Sequence, residues 1–281
     1  MKHLKFSSTI TACLFITAFY ACKNNATEQT AETKIDVPAD KIEQIKSLGF
    51  GTSNVEKYED GYVVEGDIFL TEENLTETAS GISLNIAETE QYRTKNLVKS
   101  LPRVISISVG SNLADPYSKA ADIMISRYNA LDLRIKFKRA MSGKTGDIHI
   151  GGFREGPKPN GTILLGYAGF PKASGEPHPN IKMNIHPQAY GTNPNKNYIA
   201  SVLQHEIGHC IGFRHTDYMN RNFSCPNDPG NNNEGKDDIG AIRIKGTPSK
   251  PDAGSIMLAC FDGSSSTFND NDIVALKHLY K

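Results

Sequence analysis

The residues best suited to chemistry lie in one segment, 196–217, which reads KNYIASVLQHEIGHCIGFRHTD. His205 and His209 are four residues apart, so on a helix both imidazoles project from the same side. Two imidazoles at this spacing can bind one zinc ion. Glu206 is offset from both histidines, so it is predicted to act as a general base toward a zinc-bound water rather than as a ligand.

A glycine and a third histidine extend this pattern. Gly212 has no Cβ and can adopt a positive φ, which would turn the chain away from the helix. His215 could then approach the same ion from another direction. Three imidazoles leave coordination open for water and substrate, as catalytic zinc requires. The segment therefore predicts a single catalytic Zn²⁺ that activates a water molecule, with Glu206 as the base.

A purely structural zinc site is the main alternative. Such sites are usually closed by a fourth protein ligand, commonly cysteine. Cys210 directly follows His209, and consecutive helical residues point about 100° apart, which is a poor direction for the same ion. We therefore favour the catalytic site. The alternative function is a non-catalytic surface-binding lipoprotein that keeps zinc to stabilise its fold.

The string HEIGHCIGFRH matches HExxHxxGxxH, the zinc motif of the metzincin metalloendopeptidases, and with FRHTD it most resembles the bacterial dual-action HEIGH metallopeptidases. SIMLACF, 255–261, resembles the Met-turn of that clan. The resemblance implies a zinc metalloendopeptidase in which Met257 lies beneath the three histidines without binding metal. GYAGFP, 166–171, followed by a loop and IKMN, 181–184, resembles the edge strand that precedes the zinc helix in this clan. The resemblance implies that this edge binds substrate as an added antiparallel strand, and the alternative is an ordinary capped edge strand.

A second short motif lies far upstream. VEGDI, 64–68, resembles the FxGD-type prosegment motif of the astacin family, with Val64 in place of phenylalanine. The resemblance implies that Asp67 occupies the open position of the zinc and keeps the enzyme latent. The alternative is an ordinary Gly-Asp turn.

Hydrophobic periodicity predicts the elements that must position these residues. It predicts helices over 38–49, 116–131 and the zinc motif, and strands over 61–70, 104–109, 133–139, 147–153, 161–170 and 181–186. The ending FNDNDIVALKHLYK resembles the C-terminal helix of several metzincins. We therefore expect an α+β fold: a metzincin-like domain, 96–281, with a mixed twisted sheet, an active-site helix and a C-terminal helix, preceded by a small prosegment-like unit, 38–95.

The N-terminus has the pattern of an export signal. Residues 1–21 combine two early lysines with an uncharged apolar run that is short for a membrane span. FYAC resembles a loose bacterial lipoprotein signal in which Cys22 becomes the lipidated first residue. Residues 22–37 are polar and are predicted to be a flexible tether. We expect a protein anchored by lipid at the bacterial cell envelope, or a secreted one if cleavage near Ala21 is ordinary.

Apart from the possible anchor Cys22, three cysteines remain in the exported chain, and two of them can pair in an oxidising compartment. We predict a disulfide between Cys225 and Cys260, with Cys210 as a buried free thiol. The oxygen-rich loop 227–238 could hold Ca²⁺, but it lacks the spacing of a recognised calcium loop. We therefore expect a solvated surface loop there.

The charge composition limits the classes of partner that the chain can be expected to bind. The 281 residues contain 31 Lys and Arg against 31 Asp and Glu. Because no basic excess is available to neutralise phosphates, nucleic acid is not a predicted partner. The expected partner is a protein or peptide substrate, with membrane contact only through the lipid anchor at Cys22.

Overall fold

The strands of the central sheet follow the alternation of apolar residues in the sequence. In the strand after the cis Leu101–Pro102 bond, Ile105 and Ile107 are fully buried while Val104 is exposed. This alternation places one face of the strand against the core. The computed structural model describes residues 1, 36–58, 61–76, 91–218, 220–226, 241–248, 251–261, 263–264 and 266–281.

Ten strands occur within these described residues. They are β1 (Glu56–Tyr58), β2 (Gly61–Val64), β3 (Ile68–Thr71), β4 (Tyr92–Arg93), β5 (Arg103–Val109), β6 (Ile135–Arg139), β7 (Ile148–Phe153), β8 (Gly166–Ala168), β9 (Asn180–Asn184) and β10 (Ile242–Arg243). Eight of them form a mixed sheet in the order β1-β2-β3-β8-β9-β7-β5-β6, and β10 pairs with β4. Strands β9, β7, β5 and β6 are mutually parallel, whereas β8 is antiparallel to β9.

Six α-helices accompany the sheet in the same part of the chain. They are α1 (Ala39–Ser47), α2 (Glu72–Thr76), α3 (Asp115–Asn129), α4 (Pro187–Tyr190), α5 (Lys196–Cys210) and α6 (Asp270–Tyr280), with a 3-10 turn at Arg221–Phe223. Helix α5 is buried from Ile199 to its end. It packs against α3, where the Tyr128 hydroxyl donates to the Gln204 carbonyl at 2.8 Å. The predicted α+β architecture, with a mixed sheet, an active-site helix and a C-terminal helix, is confirmed.

The predicted strand over 61–70 is wrong as a single element. Strands β2 and β3 form an antiparallel hairpin instead, with Tyr62 opposite Leu70. Glu65 and Gly66 have φ values of +49° and +93°, which reverses the chain between the strands. The predicted strand 161–170 is also too long, because only Gly166–Ala168 is strand.

The N-terminal part of the chain is continuous with the central sheet. Strand β3 pairs with β8 through Ile68 and Ala168 in parallel. A second apolar cluster joins the two parts, because Ile45 and Ile68 pack in it together with Phe170. Residues Asp36–Lys281 form one compact unit. The division into a prosegment-like unit, 38–95, and a catalytic domain, 96–281, stays a prediction about processing.

Four sequence predictions lie wholly or largely outside the described residues: the body of the export signal, the lipidation site Cys22, the tether 22–37 up to residue 35, and the loop 227–238. Within the described residues, no helix has both the length and the apolar character needed to cross a membrane.

Candidate active site

Helix α5 carries two of the three predicted zinc ligands and holds both rings in place. His205 Nδ1 lies 2.7 Å from the Ile256 carbonyl oxygen, and His209 Nδ1 lies 2.8 Å from that of Phe213. Because a carbonyl oxygen only accepts, each Nδ1 carries the proton and each Nε2 presents a lone pair. The two Nε2 atoms are 2.9 Å apart. Both rings are therefore oriented as metal-binding imidazoles.

Gly212 turns the chain after α5 and brings the third histidine back to the first two. Its φ is +110°, and a Cβ there would lie 2.7 Å from Cδ2 of Leu97. Only glycine fits this conformation and this space. The centroid of the buried His215 ring lies 5.3 Å from that of His205 and 4.9 Å from that of His209.

Asp67, in the turn between β2 and β3, contacts all three histidines. Its Oδ2 lies 3.2 Å from His205 Nε2, and its Oδ1 lies 2.9 Å from His215 Nε2 and 3.7 Å from His209 Nε2. Burial would raise the pKa of the Asp67 carboxyl, but the charge of His215 and the close approach of the other two imidazoles hold it well below 3.8. The structure thus brings residue 67 to a site 138 or more residues away in sequence.

These four side chains form a group that can hold one metal ion. Each offers one nitrogen or oxygen atom, and the four atoms lie within 4.8 Å of one another. Both ring nitrogens of His215 and Oδ1 of Asp67 are buried without a hydrogen-bond partner in the described part of the chain. Buried polar atoms are rarely left in this state. Imidazole nitrogens and a carboxylate oxygen are ligands that Zn²⁺ binds tetrahedrally at about 2.0–2.2 Å, so the residues fit a zinc ion.

Glu206 is buried beside this group and is not part of it. A Cβ on Gly166 would lie 3.1 Å from Glu206 Oε1, so the carboxyl group lies against strand β8. Its Oε2 has no hydrogen-bond partner among the described residues. Burial and the negative charge of Asp67 raise the pKa of Glu206 well above 4.5. A carboxyl group in this setting is suited to accept and release a proton.

A protein-family model for the dual-action HEIGH metallopeptidases matches residues 62–280, which include the three histidines, Glu206 and Asp67. The chain belongs to the dual-action HEIGH metallopeptidase family. The predicted family is confirmed, and so is the prediction that the chain is a zinc metalloendopeptidase.

Solved structures resemble this HEIGH metallopeptidase only distantly. A structure of myroilysin is 13% identical, covers 67% of this chain and 98% of its own, and has a TM-score of 0.45. High choriolytic enzyme 1, a hatching-enzyme zinc protease from Oryzias latipes (medaka fish), is 15% identical, covers 63% of this chain and 88% of its own, and has a TM-score of 0.37. None of the curated proteins matches the chain. The assignment therefore rests on the family match and on the site.

Met257 lies where it contacts the zinc-motif helix of this HEIGH metallopeptidase. It is buried, and a Cβ on Gly208 of α5 would lie 2.5 Å from its Sδ. Its carbonyl oxygen accepts a hydrogen bond from the N–H of Thr216 at 2.9 Å, directly after the third histidine. The segment predicted as the Met-turn therefore packs against both parts of the zinc motif.

The cysteines are arranged as two bonded residues and one free residue. Cys225 and Cys260 form a disulfide, which joins the segment after the third histidine to the Met-turn segment. Asp217 reinforces this connection by accepting a hydrogen bond from the N–H of Ala259 at 3.0 Å. Cys210 is a buried free thiol whose pKa is raised by burial, and it is not among the metal-binding group.

Sequence analysis did not identify the ion pair that holds the turn containing Asp67. Arg214 Nη2 donates to Glu65 Oε1 at 2.6 Å, and both side chains are buried. Arg221 Nη1 donates to the Glu65 carbonyl oxygen. Burial would raise the pKa of Glu65, but the charge of Arg214 holds it below 4.5. Glu65 lies in VEGDI and Arg214 in HEIGHCIGFRH, but no local pattern of residues indicates a contact across 149 residues.

Proposed function

We propose that this zinc metalloendopeptidase is exported and is kept inactive by its own N-terminal segment, residues 36–76. The observation that carries the proposal is the contact of Asp67 with His205, His209 and His215. A carboxylate in this place takes the position that a catalytic zinc site must leave open for water and substrate. The enzyme would become active when the N-terminal segment leaves.

The three histidines would hold the zinc ion in the active enzyme. When bound, zinc supplies Lewis acidity, which polarises a carbonyl group and increases the acidity of water. Glu206 takes the proton from the attacking water and delivers it to the leaving amine. Its burial beside the metal-binding group supports this role, because a general base must lie within reach of the reacting water.

Strand β8 is the proposed binding site for the substrate backbone. It pairs with β9 on one side, and its other edge can add an extended peptide as a further strand. Gly166 brings the Glu206 carboxyl group next to this strand. A peptide bond aligned along β8 would therefore lie beside both the proposed base and the three histidines.

The N-terminal segment covers this same edge. Strand β3 pairs with β8 at Ile68 and Ala168, and the pairing is parallel. A substrate that adds in the antiparallel sense would run in the opposite direction along β8. The segment would thus exclude substrate from β8. Its own backbone would not be cleaved there, because it runs opposite to the direction of a substrate.

Export is the remaining part of the proposal. The disulfide between Cys225 and Cys260 supports it, since disulfides persist mainly outside the cytoplasm. The signal pattern in residues 1–21 and the lipidation motif at Cys22 favour a lipid anchor at the bacterial cell envelope. Ordinary cleavage near Ala21 would release a secreted enzyme instead. Mass spectrometry of the mature N-terminus distinguishes a lipidated Cys22 from an unmodified N-terminus.

The latency and the chemistry are tested with the full chain and three variants. Asp67→Ala should raise the rate of hydrolysis of a denatured protein substrate, whereas Asp122→Ala on the exposed face of α3 should not. Adding Glu206→Ala to Asp67→Ala should lower activity by about 10²–10⁴-fold with zinc content unchanged. No gain from Asp67→Ala would contradict latency through this residue.

The alternative, a non-catalytic zinc-stabilised binding lipoprotein, predicts a different result. It predicts full zinc occupancy without cleavage in every variant, including a chain cut between residues 76 and 91 after folding. Equal hydrolysis with and without Glu206→Ala would remove the proposed role of the glutamate.

A further inference from the structure

Glu65 fills a buried cationic site that belongs to the part of the chain retained after the N-terminal segment leaves. We infer that Arg214 and Arg221 recognise an acidic side chain of the substrate, on the C-terminal side of the scissile bond. Glu65 holds this site in the latent chain. The inference rests on the proposed function, and it adds a substrate class: peptides with Asp or Glu at one of the two positions that follow the cleaved bond.

The Arg214 guanidinium is enclosed mainly by the N-terminal segment. Besides the pair with Glu65, its Nη1 donates to the Gly49 carbonyl oxygen at 3.2 Å, and the ring of Phe50 covers it at 4.4 Å. The ring of Tyr218, which lies outside the segment, is 5.1 Å from the guanidinium carbon. The side chain is fully buried. Of these contacts, only the one to Tyr218 remains when residues 36–76 are gone.

Loss of the segment therefore leaves a guanidinium without its carboxylate. In the described part of the chain, Glu65 is the one carboxylate paired with Arg214. A buried charge that loses its partner is unfavourable, so the site favours a new anion or water. Guanidinium groups bind carboxylates with two parallel hydrogen bonds, which makes a substrate Asp or Glu a matched replacement.

Arg221 lies on the same stretch of the N-terminal segment. Its Nη1 donates to the Glu65 carbonyl oxygen, and a Cβ on Gly66 would lie 2.9 Å from its Nη2. Arg221 is only 3% exposed. Two guanidinium groups thus contact the peptide units just before Asp67, one through a side chain and one through the backbone.

The direction of the strands fixes which side of the scissile bond is concerned. Strand β3 follows Asp67 in the chain and runs parallel to β8. Following β8 from its N-terminal to its C-terminal end, one therefore passes Glu65 first, then Asp67 at the metal-binding group, and then β3. A substrate running antiparallel to β8 would have its N-terminal half where β3 lies. Its C-terminal half would then lie where Glu65 lies, so Arg214 and Arg221 face one of the two residues after the scissile bond.

The expected preference is large enough to measure. Hydrogen bonds between charged groups contribute enough that kcat/KM should be about tenfold to a hundredfold higher for glutamate than for glutamine.

The experiment starts from the full chain, folded with zinc, with a specific protease site inserted between residues 76 and 91. After cutting and removal of the N-terminal fragment, the enzyme digests a peptide library, and the cleaved bonds are identified by mass spectrometry. A pair of fluorogenic peptides that differ only by Glu or Gln at the preferred position gives the kcat/KM ratio. We expect Asp and Glu to be enriched at one of the first two positions after the cleaved bond.

Two variants and one control assign the preference to residues. Arg221→Gln and Arg214→Gln should each reduce the Glu-to-Gln ratio, while Arg139→Gln on β6, at the far edge of the sheet, should not. Zinc content checks that Arg214→Gln leaves the neighbouring His215 in place, and Arg221→Gln provides an independent test. Cleavage of the library without acidic enrichment would overturn the inference and leave the peptidase assignment intact. A zinc-loaded, trimmed enzyme that cleaves nothing would instead contradict the proposed function itself.

Discussion

Asp272 accepts a hydrogen bond from the N–H of Ile256 at 3.0 Å, and the carbonyl oxygen of Ile256 accepts one from His205 Nδ1 at 2.7 Å. The first turn of the C-terminal helix therefore holds the residue whose carbonyl group orients a predicted zinc ligand. The same carboxylate also accepts hydrogen bonds from Gln91 Nε2 and Ser255 Oγ, at 2.8 and 2.7 Å. The histidine ring thus depends on a network that includes residues far apart in the sequence.

Asp272→Asn should weaken both the fold and the metal site. An amide nitrogen would face hydrogen-bond donors in place of one carboxylate oxygen, so we expect a loss of about 2–3 kcal/mol in the free energy of unfolding. Residues that orient metal ligands typically change metal affinity by about 10–100-fold when replaced, and we expect the lower end of that range. Competition with a zinc chelator measures the affinity, and denaturant titration measures the stability.

Asp252→Asn is the matched control for this change. Asp252 also binds the start of α6, through Asn269 and Asn271, but it has no hydrogen bond to Ile256. We expect it to lower stability without changing zinc affinity. If both variants changed zinc affinity equally, the proposed connection between Asp272 and His205 would be wrong.

Gly212→Ala should disturb the position of the third histidine. The backbone has a φ of +110°, and the new methyl group would approach Cδ2 of Leu97 to 2.7 Å. Strain of this kind costs about 1–3 kcal/mol. We expect reduced stability and reduced zinc affinity, because the positive φ and a contact of 2.9 Å with the Asn96 carbonyl oxygen strain the turn that positions His215.

Gly143→Ala is the control for Gly212→Ala, because it introduces backbone strain without crowding any neighbouring atom. Gly143 also has a positive φ, +72°, but a Cβ there would have nothing within 4 Å. Its replacement should lower stability by about 1 kcal/mol and leave zinc affinity unchanged. An equal loss of zinc affinity in both alanine variants would show that the crowding at Gly212 is unimportant for the site.

The zinc motif could be predicted because its geometry is local. The four-residue spacing of His205 and His209 on one helix, and a glycine that can turn the chain, determine most of the arrangement. Long apolar elements such as α3 and β5 were predicted nearly to their ends for the same reason. Resemblance to astacin-type motifs drew attention to Asp67, but only the fold brings its carboxylate to the histidines.

The hairpin at residues 61–71 shows where sequence patterns fail. VVEGDIFL is rich in β-branched and apolar residues, so the run indicates one strand, although Glu65 and Gly66 reverse its direction. The pairing of β3 with β8 and the contact of Glu65 with Arg214 are also long-range. Such contacts depend on tertiary packing, and no local hydrophobic periodicity in the sequence indicates them.

Removing the disulfide should destabilise the segment that follows the zinc motif. Cys225 and Cys260 are separated by 35 residues, and closing a loop of this length stabilises a fold by about 2–4 kcal/mol in chain-entropy models. We expect the double Cys→Ser variant to lose this amount in denaturant titration. Zinc should remain bound under native conditions, because α5 and the Gly212 turn hold the ligands. Reduction of the wild-type protein should reproduce the loss; a change below about 0.5 kcal/mol in both would contradict the prediction.

Stability should fall on acidification because of His178. Burial, followed by the positive charge of Lys172, lowers its pKa from 6.5 to about 4. The unfolded chain therefore binds more protons than the folded chain between these two pH values, so the contribution of His178 to stability is present above about pH 6.5 and declines toward pH 4. A lowering of this size corresponds to about 3 kcal/mol.

Replacement by a side chain that does not titrate should remove this slope. His178→Gln is expected to flatten the dependence of the free energy of unfolding on pH between about 4 and 6.5, whatever its effect at neutral pH. Because only the slope is compared, a general loss of stability in the buried variant does not obscure the result. An unchanged slope in His178→Gln would mean that other groups cause the acid sensitivity.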